Sequence, residues 1–152
     1  MRLIDLLDAA RVRVPLGARR KDELLRELVD LVMGPEPDGR SEEVLRAVLE
    51  RETVLSTGIG GGVAIPHAKT DAVSSLRIAA GRTAEGVEFD ALDGEPVRLC
   101  FLLVGPESEA GAHVKALSRI ARVVRRQSVR EQLEQAQTPE EFLRVLDAAE
   151  AA

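Results

Sequence analysis

The 152-residue sequence predicts the α/β class, in which helices cover both faces of a sheet. The run Leu99–Val104 is apolar at every position, which is typical of a central strand buried on both faces. Apolar stripes at helical spacing precede and follow this run: Leu24, Leu25, Leu28, Leu31 and Val32 in one, Val44, Leu45, Val48 and Leu49 in a second, and Leu117, Ile120, Ala121 and Val124 in a third. We therefore expect one strongly buried strand between layers of amphipathic helices.

The N-terminal part is expected to contain three helices and one strand. Helical spacing over 2–10 predicts a first helix, and the alternation over 11–15 predicts a short edge strand that ends in proline. The second helix is expected to end at Gly34, before a loop. Ser41 is expected to cap the third helix and Arg51 to close it, which would hold the Arg51 guanidinium on a packed element.

The rest of the chain is expected to supply the other strands and the last helices. Strands are placed at 63–65, 76–81 and 99–104, with a polar loop at 68–75 and a turn at Asp93-Gly94. A helix is expected from about Glu109, and capping boxes at Ser128 and Thr138 predict two terminal helices. Because no repeat or linker interrupts the chain, residues 1–152 are expected to form a single domain.

Charge and composition exclude several classes of protein. The net charge of −5, without a long basic run, argues against binding to nucleic acid, and three Phe without Trp or Tyr offer few stacking platforms. The single Cys100 cannot form an internal disulfide, which fits a reducing compartment. No apolar run reaches the roughly 20 residues that span a bilayer, so no membrane insertion is expected. We expect a cytoplasmic protein.

The stretch from Arg51 to His67 concentrates most of the polar chemistry. Its four glycines, which include Gly58 and Gly60, suit sharp turns, and successive amides there can form an anion-binding nest. Pro66 fixes φ and lacks an N–H, so it places His67 at a rigid corner. Such a loop suits phosphate.

The residue types also fit phosphoryl relay. Neutral histidine is a good nucleophile near pH 7, and Arg51 could clamp phosphate oxygens with its planar guanidinium. Ser56 and Thr57 could donate hydroxyl hydrogen bonds to the same anion. A dinucleotide fingerprint is rejected because valine occupies its third glycine position, and no Gly-Lys-Ser follows to make a nucleotide P-loop. A zinc site on His67, His113 and Asp71 lacks a recognisable ligand spacing, so no metal is expected.

At this point the motif resembles a known family. Glu52, then Ile59-Gly60, then Val63-Ala-Ile-Pro-His67 and Ala68 fill every position of the pattern of the enzyme IIA components of the phosphoenolpyruvate-dependent phosphotransferase system, in the fructose, mannitol and nitrogen-regulatory branch. The segment Gly86–Val97 is also typical of this branch, and the resemblance covers nearly the whole chain. Val54-Leu55 departs from it, because nitrogen-branch members often have a glycine next to the serine.

The resemblance implies a fold and a site. The fold is a three-layer α/β sandwich with a mixed sheet of about five strands and helices on both faces. In the family, the Pro-His histidine accepts the phosphoryl group, which assigns this role to His67. The family's arginine falls on Arg51 and its second active-site histidine on His113. Ser56, Thr57, Gly58 and Gly60 are the expected phosphate-binding residues.

The resemblance also implies partners. His67 would take its phosphoryl group from an HPr-type phosphocarrier and pass it to an enzyme IIB component or keep it as a regulatory mark, without metal or organic cofactor. The alternative is a non-transporting regulatory binding protein whose phosphorylation state controls a kinase, transporter or transcription factor.

Structural roles remain open for the same residues. His67 could hydrogen-bond only its own loop, and His113 could be a satisfied core histidine. Arg51 could complement the helix dipole or form a surface ion pair with Glu52 or Asp71. Ser56 and Thr57 could cap a turn.

Overall fold

A computed structural model describes residues 2–35 and 40–151. Most of the loop expected after Gly34 lies outside these residues. The strands are β1 Val12–Leu16, β2 Gly58–Gly60, β3 Val63–Ala64, β4 His67–Lys69, β5 Arg77–Val87 and β6 Val97–Gly105. The helices are α1 Lys21–Met33, α2 Ser41–Val54, α3 Ala110–Val124, α4 Gln127–Glu134 and α5 Pro139–Ala151. The predicted α/β fold with a mixed sheet and helices on both faces is confirmed.

The sheet has the order β1-β5-β6-β3-β2, and β4 also pairs with β6. β5 lies antiparallel to β6 on one side, whereas β3 and β4 lie parallel to it on the other. Ile65 and Pro66 interrupt this second side, because proline has no N–H to donate to a ladder. The sheet therefore has six strands rather than about five. The sequence analysis missed β2 and treated most of β4 as a loop.

Strand β6 is the centre of the molecule, as its apolar run predicted. Its residues alternate between two apolar clusters on opposite faces of the sheet. Cys100, Leu102 and Val104 pack with α1 and α2 on one face. Leu99, Phe101 and Leu103 pack with α3, α4 and α5 on the other. Residues beside the end of β6 can therefore contact side chains from either helical layer.

The N-terminal segment differs from the prediction. Residues 2–10 do not form one helix; two short 3-10 turns occur instead, at Leu3–Asp5 and Ala9–Arg11. The Asp8 carboxylate caps the second of these turns by accepting the N–H of Ala10 at 3.0 Å. Such local side-chain bonding competes with a continuous helix. Of its apolar positions, Leu3 and Leu7 are nevertheless buried, whereas Ile4 and Ala10 are exposed.

Two helix starts also differ. Ser41 is the first residue of α2 rather than its cap, and the helix continues past Arg51 to Val54. Arg51 thus lies in the last turn and does not close the helix. The capping box predicted at Ser128 is absent, because α4 already begins at Gln127. Half of the box predicted at Thr138 forms: the Thr138 hydroxyl oxygen accepts the N–H of Glu141 at 3.1 Å, whereas the Glu141 carboxylate accepts the N–H of Gln137 instead of that of Thr138.

Within residues 2–35 and 40–151, none of the helices is both long and apolar enough to cross a membrane.

Candidate functional site

His67 is the first residue of β4, with residues of α2 beside it in one depression and His113 of α3 against its ring. Among the described residues, β4 pairs with β6 alone, beginning at His67↔Leu103, so no described strand covers its other edge. The imidazole is partly exposed. Its Nδ1 lies 2.9 Å from the carbonyl oxygen of Ile65. Because a carbonyl can only accept, this contact requires the proton on Nδ1 and leaves the Nε2 lone pair free.

His113 contacts His67 from the other direction. The first turns of α3 bring the two ring centroids to 5.6 Å, with the ring planes at 67°. His113 is only 2% exposed, and neither ring nitrogen has a hydrogen-bond partner among the described residues. It is therefore not the satisfied core histidine that the sequence left as an alternative. A buried polar side chain without a partner is costly, so this one calls for an explanation.

The charge state of His113 follows from its surroundings. Burial, then the neighbouring His67 and the Lys69 ammonium, lowers the pKa of His113 to about 4. The ring is therefore neutral near pH 7. One nitrogen of a neutral imidazole is a donor and the other an acceptor, so His113 can still donate a hydrogen bond to an oxygen held beside His67.

A surface depression of about 450 Å³ opens beside His67. Arg51 and Glu50 line it from α2, and Ala68 and Lys69 line it from β4. The Arg51 Nη1 donates to the carbonyl oxygen of Leu55 at 3.0 Å, so the guanidinium is held on the last turn of its helix. Among the described residues, the Arg51 guanidinium forms no ion pair with Glu52 or Asp71, and Glu52 pairs with Lys21 instead. Two cationic side chains thus flank the exposed side of the imidazole.

Lys69 was missed by the sequence analysis, which placed it in a loop. Side chains two residues apart in a strand project to the same side. The pattern His-x-Lys after Pro66 would have placed a second cation beside His67, had 67–69 been predicted as a strand.

Ser56 and Thr57 have other partners. The Ser56 hydroxyl donates to the carbonyl oxygen of Phe89 at 3.1 Å. It also accepts the N–H of Gly58 at 3.1 Å, which closes an ST turn. The Thr57 hydroxyl is buried and donates to the Glu52 carboxylate at 2.7 Å. Neither residue lines the depression beside His67. Phosphate binding by these hydroxyls stays a prediction, and it would require them to exchange partners.

The glycine turn lies away from His67. Along β6, Val63 pairs with Leu99 and His67 pairs with Leu103, and four residues of extended strand span about 13 Å. Gly60 and the two glycines after it precede Val63 and all have positive φ. The Gly61 N–H donates to the Asp93 carboxylate at 3.0 Å, so an internal carboxylate binds at this turn. The structure does not bring Gly60 to the depression beside His67.

Gly58 serves packing. A Cβ atom on Gly58 would lie 2.8 Å from the Cβ of Ala91, closer than side chains approach. Its lack of a side chain therefore allows the segment after Phe89 to cross β2, and the N–H of Leu92 donates to the Gly58 carbonyl oxygen at 2.9 Å. Phosphate binding by Gly58 and Gly60 also stays a prediction.

In the part of the chain that the structure describes, no group of three or more His, Cys, Asp or Glu could hold a metal ion. The side chains beside His67 are the neutral imidazole of His113, the cationic Arg51 and Lys69, and the Glu50 carboxylate.

Comparison with known proteins gives relatives for nearly the whole chain. Residues 5–149 match the family model "Phosphoenolpyruvate-dependent sugar phosphotransferase system, EIIA 2". The chain is 38% identical over 126 residues to the PTS system fructose-specific EIIA component of Haloferax volcanii, covering 83% of this chain and 82% of that protein. It is 34% identical over 148 residues to the nitrogen regulatory protein of Pseudomonas aeruginosa, covering 96% and 95%.

A longer relative contains more than this chain. The PTS system fructose-specific EIIABC component of Bacillus subtilis is 32% identical over 147 residues, which are 97% of this chain but 23% of that protein. The chain thus spans about a quarter of its length.

Solved structures agree with the fold. The crystal structure of nitrogen regulatory protein IIA-Ntr from Neisseria meningitidis superposes with a TM-score of 0.88 at 34% identity, covering 95% of this chain and 98% of that one. The complex of enzyme IIA-Mtl with phosphorylated enzyme IIB-Mtl from Escherichia coli superposes with a TM-score of 0.78 at 23% identity, covering 93% and 97%. At that identity the second likeness concerns the fold alone. The chain belongs to the EIIA 2 family of the phosphoenolpyruvate-dependent sugar phosphotransferase system, the family that the motif around His67 resembles.

Proposed function

We propose that this phosphotransferase-system component is a phosphocarrier in which Nε2 of His67 accepts a phosphoryl group from an HPr-type protein and passes it to an enzyme IIB component. The 2.9 Å contact between Nδ1 of His67 and the Ile65 carbonyl oxygen, from which we infer a free Nε2 lone pair, is the observation that carries this proposal. The location of the reaction in the cytoplasm stays a prediction.

The transfer conserves atoms and electrons. The Nε2 lone pair of His67 forms a bond to phosphorus, and the P–N bond to the donor's ring nitrogen breaks. That nitrogen leaves with the electron pair. Because Nδ1 keeps its proton, the phosphorylated ring carries positive charge, which makes it a good leaving group in the next transfer. In-line positioning and charge stabilisation account for most catalysis in such reactions.

Three side chains are proposed to stabilise the phosphoryl oxygens. Arg51 and Lys69 line the depression beside His67 and supply positive charge. His113 supplies a neutral N–H donor at a ring-to-ring distance of 5.6 Å. A phosphoryl oxygen on His67 would give that unpartnered imidazole the hydrogen bond it lacks in the protein alone. Ser56, Thr57, Gly58 and Gly60 do not line this depression, and phosphate binding by them stays a prediction.

Exposed apolar side chains border both halves of the site. Val54 and Leu55 follow Arg51 and are 78% and 58% exposed, and Val114 follows His113 and is 61% exposed. An apolar surface with a charged rim suits a partner that must dock only briefly. This arrangement supports docking of an HPr-type donor and a IIB-type acceptor on the same surface in turn. In a structure of a relative, IIA-Mtl is bound to phosphorylated IIB-Mtl.

The experiment is phosphoryl transfer from labelled phosphoenolpyruvate through enzyme I and HPr. The wild-type chain should acquire an acid-labile label, and His67→Ala should acquire none. His113→Gln is the matched control, since it removes the neighbouring imidazole but keeps the acceptor; it should be labelled more slowly to the same final extent. Undiminished label in His67→Ala would refute the assignment.

A second candidate is a regulatory protein whose phosphorylation state controls another protein. It is favoured by the similarity to nitrogen regulatory proteins, which covers 96% of this chain for the Pseudomonas protein. Up to about two negative charges at His67 would alter the surface that a regulated partner contacts. Pull-downs with unphosphorylated protein and with His67→Asp test it, and identical partners in both would count against such a switch.

A further inference from the structure

A buried carboxylate lies at the start of a series of contacts that ends at the His67 ring. Glu52 is 8% exposed, on the last turn of α2. One of its oxygens accepts the backbone N–H of Thr57 at 2.9 Å, and the other accepts the Thr57 hydroxyl at 2.7 Å. The Lys21 ammonium lies 2.9 Å from the first oxygen. Both oxygens of Glu52 are therefore occupied by this buried network.

The series continues through the backbone. The Thr57 carbonyl oxygen accepts the N–H of Ile65 at 3.0 Å. The Ile65 carbonyl oxygen lies 2.9 Å from Nδ1 of His67, which is the contact that sets the tautomer. Thr57 and Ile65 are thus the two residues that join Glu52 to the nucleophilic ring.

Ile65 depends on this contact because the sheet does not hold it. The pairing with β6 stops at Ala64 and resumes at His67. Pro66 keeps one bond across the gap, from the N–H of Leu103 to its carbonyl oxygen at 3.0 Å. The amide of Ile65 bonds instead to Thr57, on the side away from β6. The N–H held by Thr57 and the carbonyl that receives Nδ1–H lie on the two sides of the Ile65 Cα, so Thr57 fixes the backbone of Ile65 immediately before that carbonyl.

Burying a carboxylate is costly unless hydrogen bonds and an opposite charge compensate for it. Two donors from one residue, with an ammonium on the same carboxylate, make a rigid arrangement because bonds to an ionised acceptor are strong and directional. Lys21 is itself held in place, 4.5 Å above the centre of the Phe89 ring. Glu52 does not line the depression beside His67. We therefore expect it to affect the His67 ring by orienting the backbone rather than by contact between its charge and the phosphoryl group.

We propose that Glu52 is a positioning residue for phosphoryl transfer: by anchoring Thr57 it orients the Ile65 carbonyl group, which keeps the His67 proton on Nδ1 and the Nε2 lone pair directed outwards. The proposal rests on the proposed function of His67 as acceptor. It also gives the Thr57 hydroxyl a role other than binding phosphate.

The primary test is Glu52→Gln, which keeps the shape but loses the charge and one acceptor oxygen. ¹⁵N-histidine NMR near neutral pH reports the tautomer of the His67 ring without any phosphorylation. The wild-type ring should be protonated on Nδ1, and this population should fall in Glu52→Gln. In the transfer assay, kcat should fall roughly tenfold to a hundredfold, as expected for a misplaced reacting group, with KM for the phosphorylated HPr donor within about twofold.

Two controls separate positioning from general damage. Glu43→Gln makes the same chemical change at an exposed carboxylate on α2 and should alter neither measurement. If Glu52→Gln fails to fold by circular dichroism, Thr57→Val and Thr57→Ser replace it, because only serine keeps the hydroxyl that binds Glu52. Valine should then reproduce the tautomer and kcat changes, and serine should retain wild-type values.

An unchanged tautomer and an unchanged kcat in folded Glu52→Gln, or equal behaviour of the valine and serine variants, would overturn the proposal. Failure of the proposed function is distinct: the wild-type chain itself would then acquire no label, whereas the tautomer measurement would still report on Glu52.

Discussion

The buried His113 should make the protein less stable in mild acid. Its pKa is lowered from 6.5 to about 4 in the folded protein, chiefly by burial. Between these two pH values the unfolded chain binds a proton at this position and the folded protein does not. The stability due to the neutral ring is therefore fully present above about pH 6.5 and is lost as the pH falls towards 4.

The size of the effect follows from linkage. A shift of one pKa unit corresponds to about 1.4 kcal/mol, so the complete loss below pH 4 is about 3 kcal/mol. Between pH 7 and pH 4.5 the free energy of unfolding should fall by roughly 2–3 kcal/mol because of His113 alone. This is a large share of the 5–15 kcal/mol that is typical of a folded domain.

The assay compares wild type with His113→Gln, because carboxylates also titrate in this range and their contribution is common to both proteins. Urea denaturation is followed by far-ultraviolet circular dichroism, since the chain has no Trp or Tyr. The wild-type protein should lose roughly 2–3 kcal/mol more than the variant between pH 7 and pH 4.5. Equal losses in both proteins would refute the conclusion that burial keeps His113 neutral.

The remaining predictions concern the fold. A Cβ on Gly81 would lie 2.2 Å from the Arg13 carbonyl oxygen. Gly81→Ala should therefore lower the free energy of unfolding, measured by urea denaturation, by about 1–3 kcal/mol. Gly17→Ala, which meets nothing within 4 Å, is the matched control and should change it by less than about 0.5 kcal/mol; equal effects would contradict the packing argument. Because burial raises the pKa of the Cys100 thiol, Ellman's reagent should react with it only after unfolding, and fast reaction with the native protein would disprove this.

The sequence was most informative where one physical requirement dominated. The unbroken apolar run at 99–104 had to be buried on both faces, and it is the central strand. The stripes of α1, α2 and α3 predicted helices for the same reason. The helix predicted at 2–10 was wrong because local hydrogen bonds, including that from the Ala10 amide to Asp8, compete with helix formation over so short a segment.

The candidate site was less accessible from sequence. The motif singled out His67 and Arg51 and the resemblance added an active-site role for His113, and the structure brings both histidines together and places Arg51 beside His67. It separates the glycine turn from them, because that turn lies at the opposite end of the pairing with β6. The glycines and His67 are close in sequence, which suggested a single phosphate-binding loop. In the structure, four residues of extended backbone separate Val63 from His67 by about 13 Å.

What the sequence by itself determined is the central strand and most of the helices, and it singled out His67 as the candidate nucleophile, since these depend on local spacing and residue chemistry. Only the tertiary structure decided which ring nitrogen of His67 bonds to the backbone and that Lys69 lines the same depression as His67. The same holds for the burial of His113 without a hydrogen-bond partner among the described residues. It also decided that Glu52 is a buried anchor rather than a surface partner of Arg51. These features depend on contacts between segments distant in sequence, and the directions of hydrogen bonds across such contacts are fixed only when the helical layers pack on the sheet.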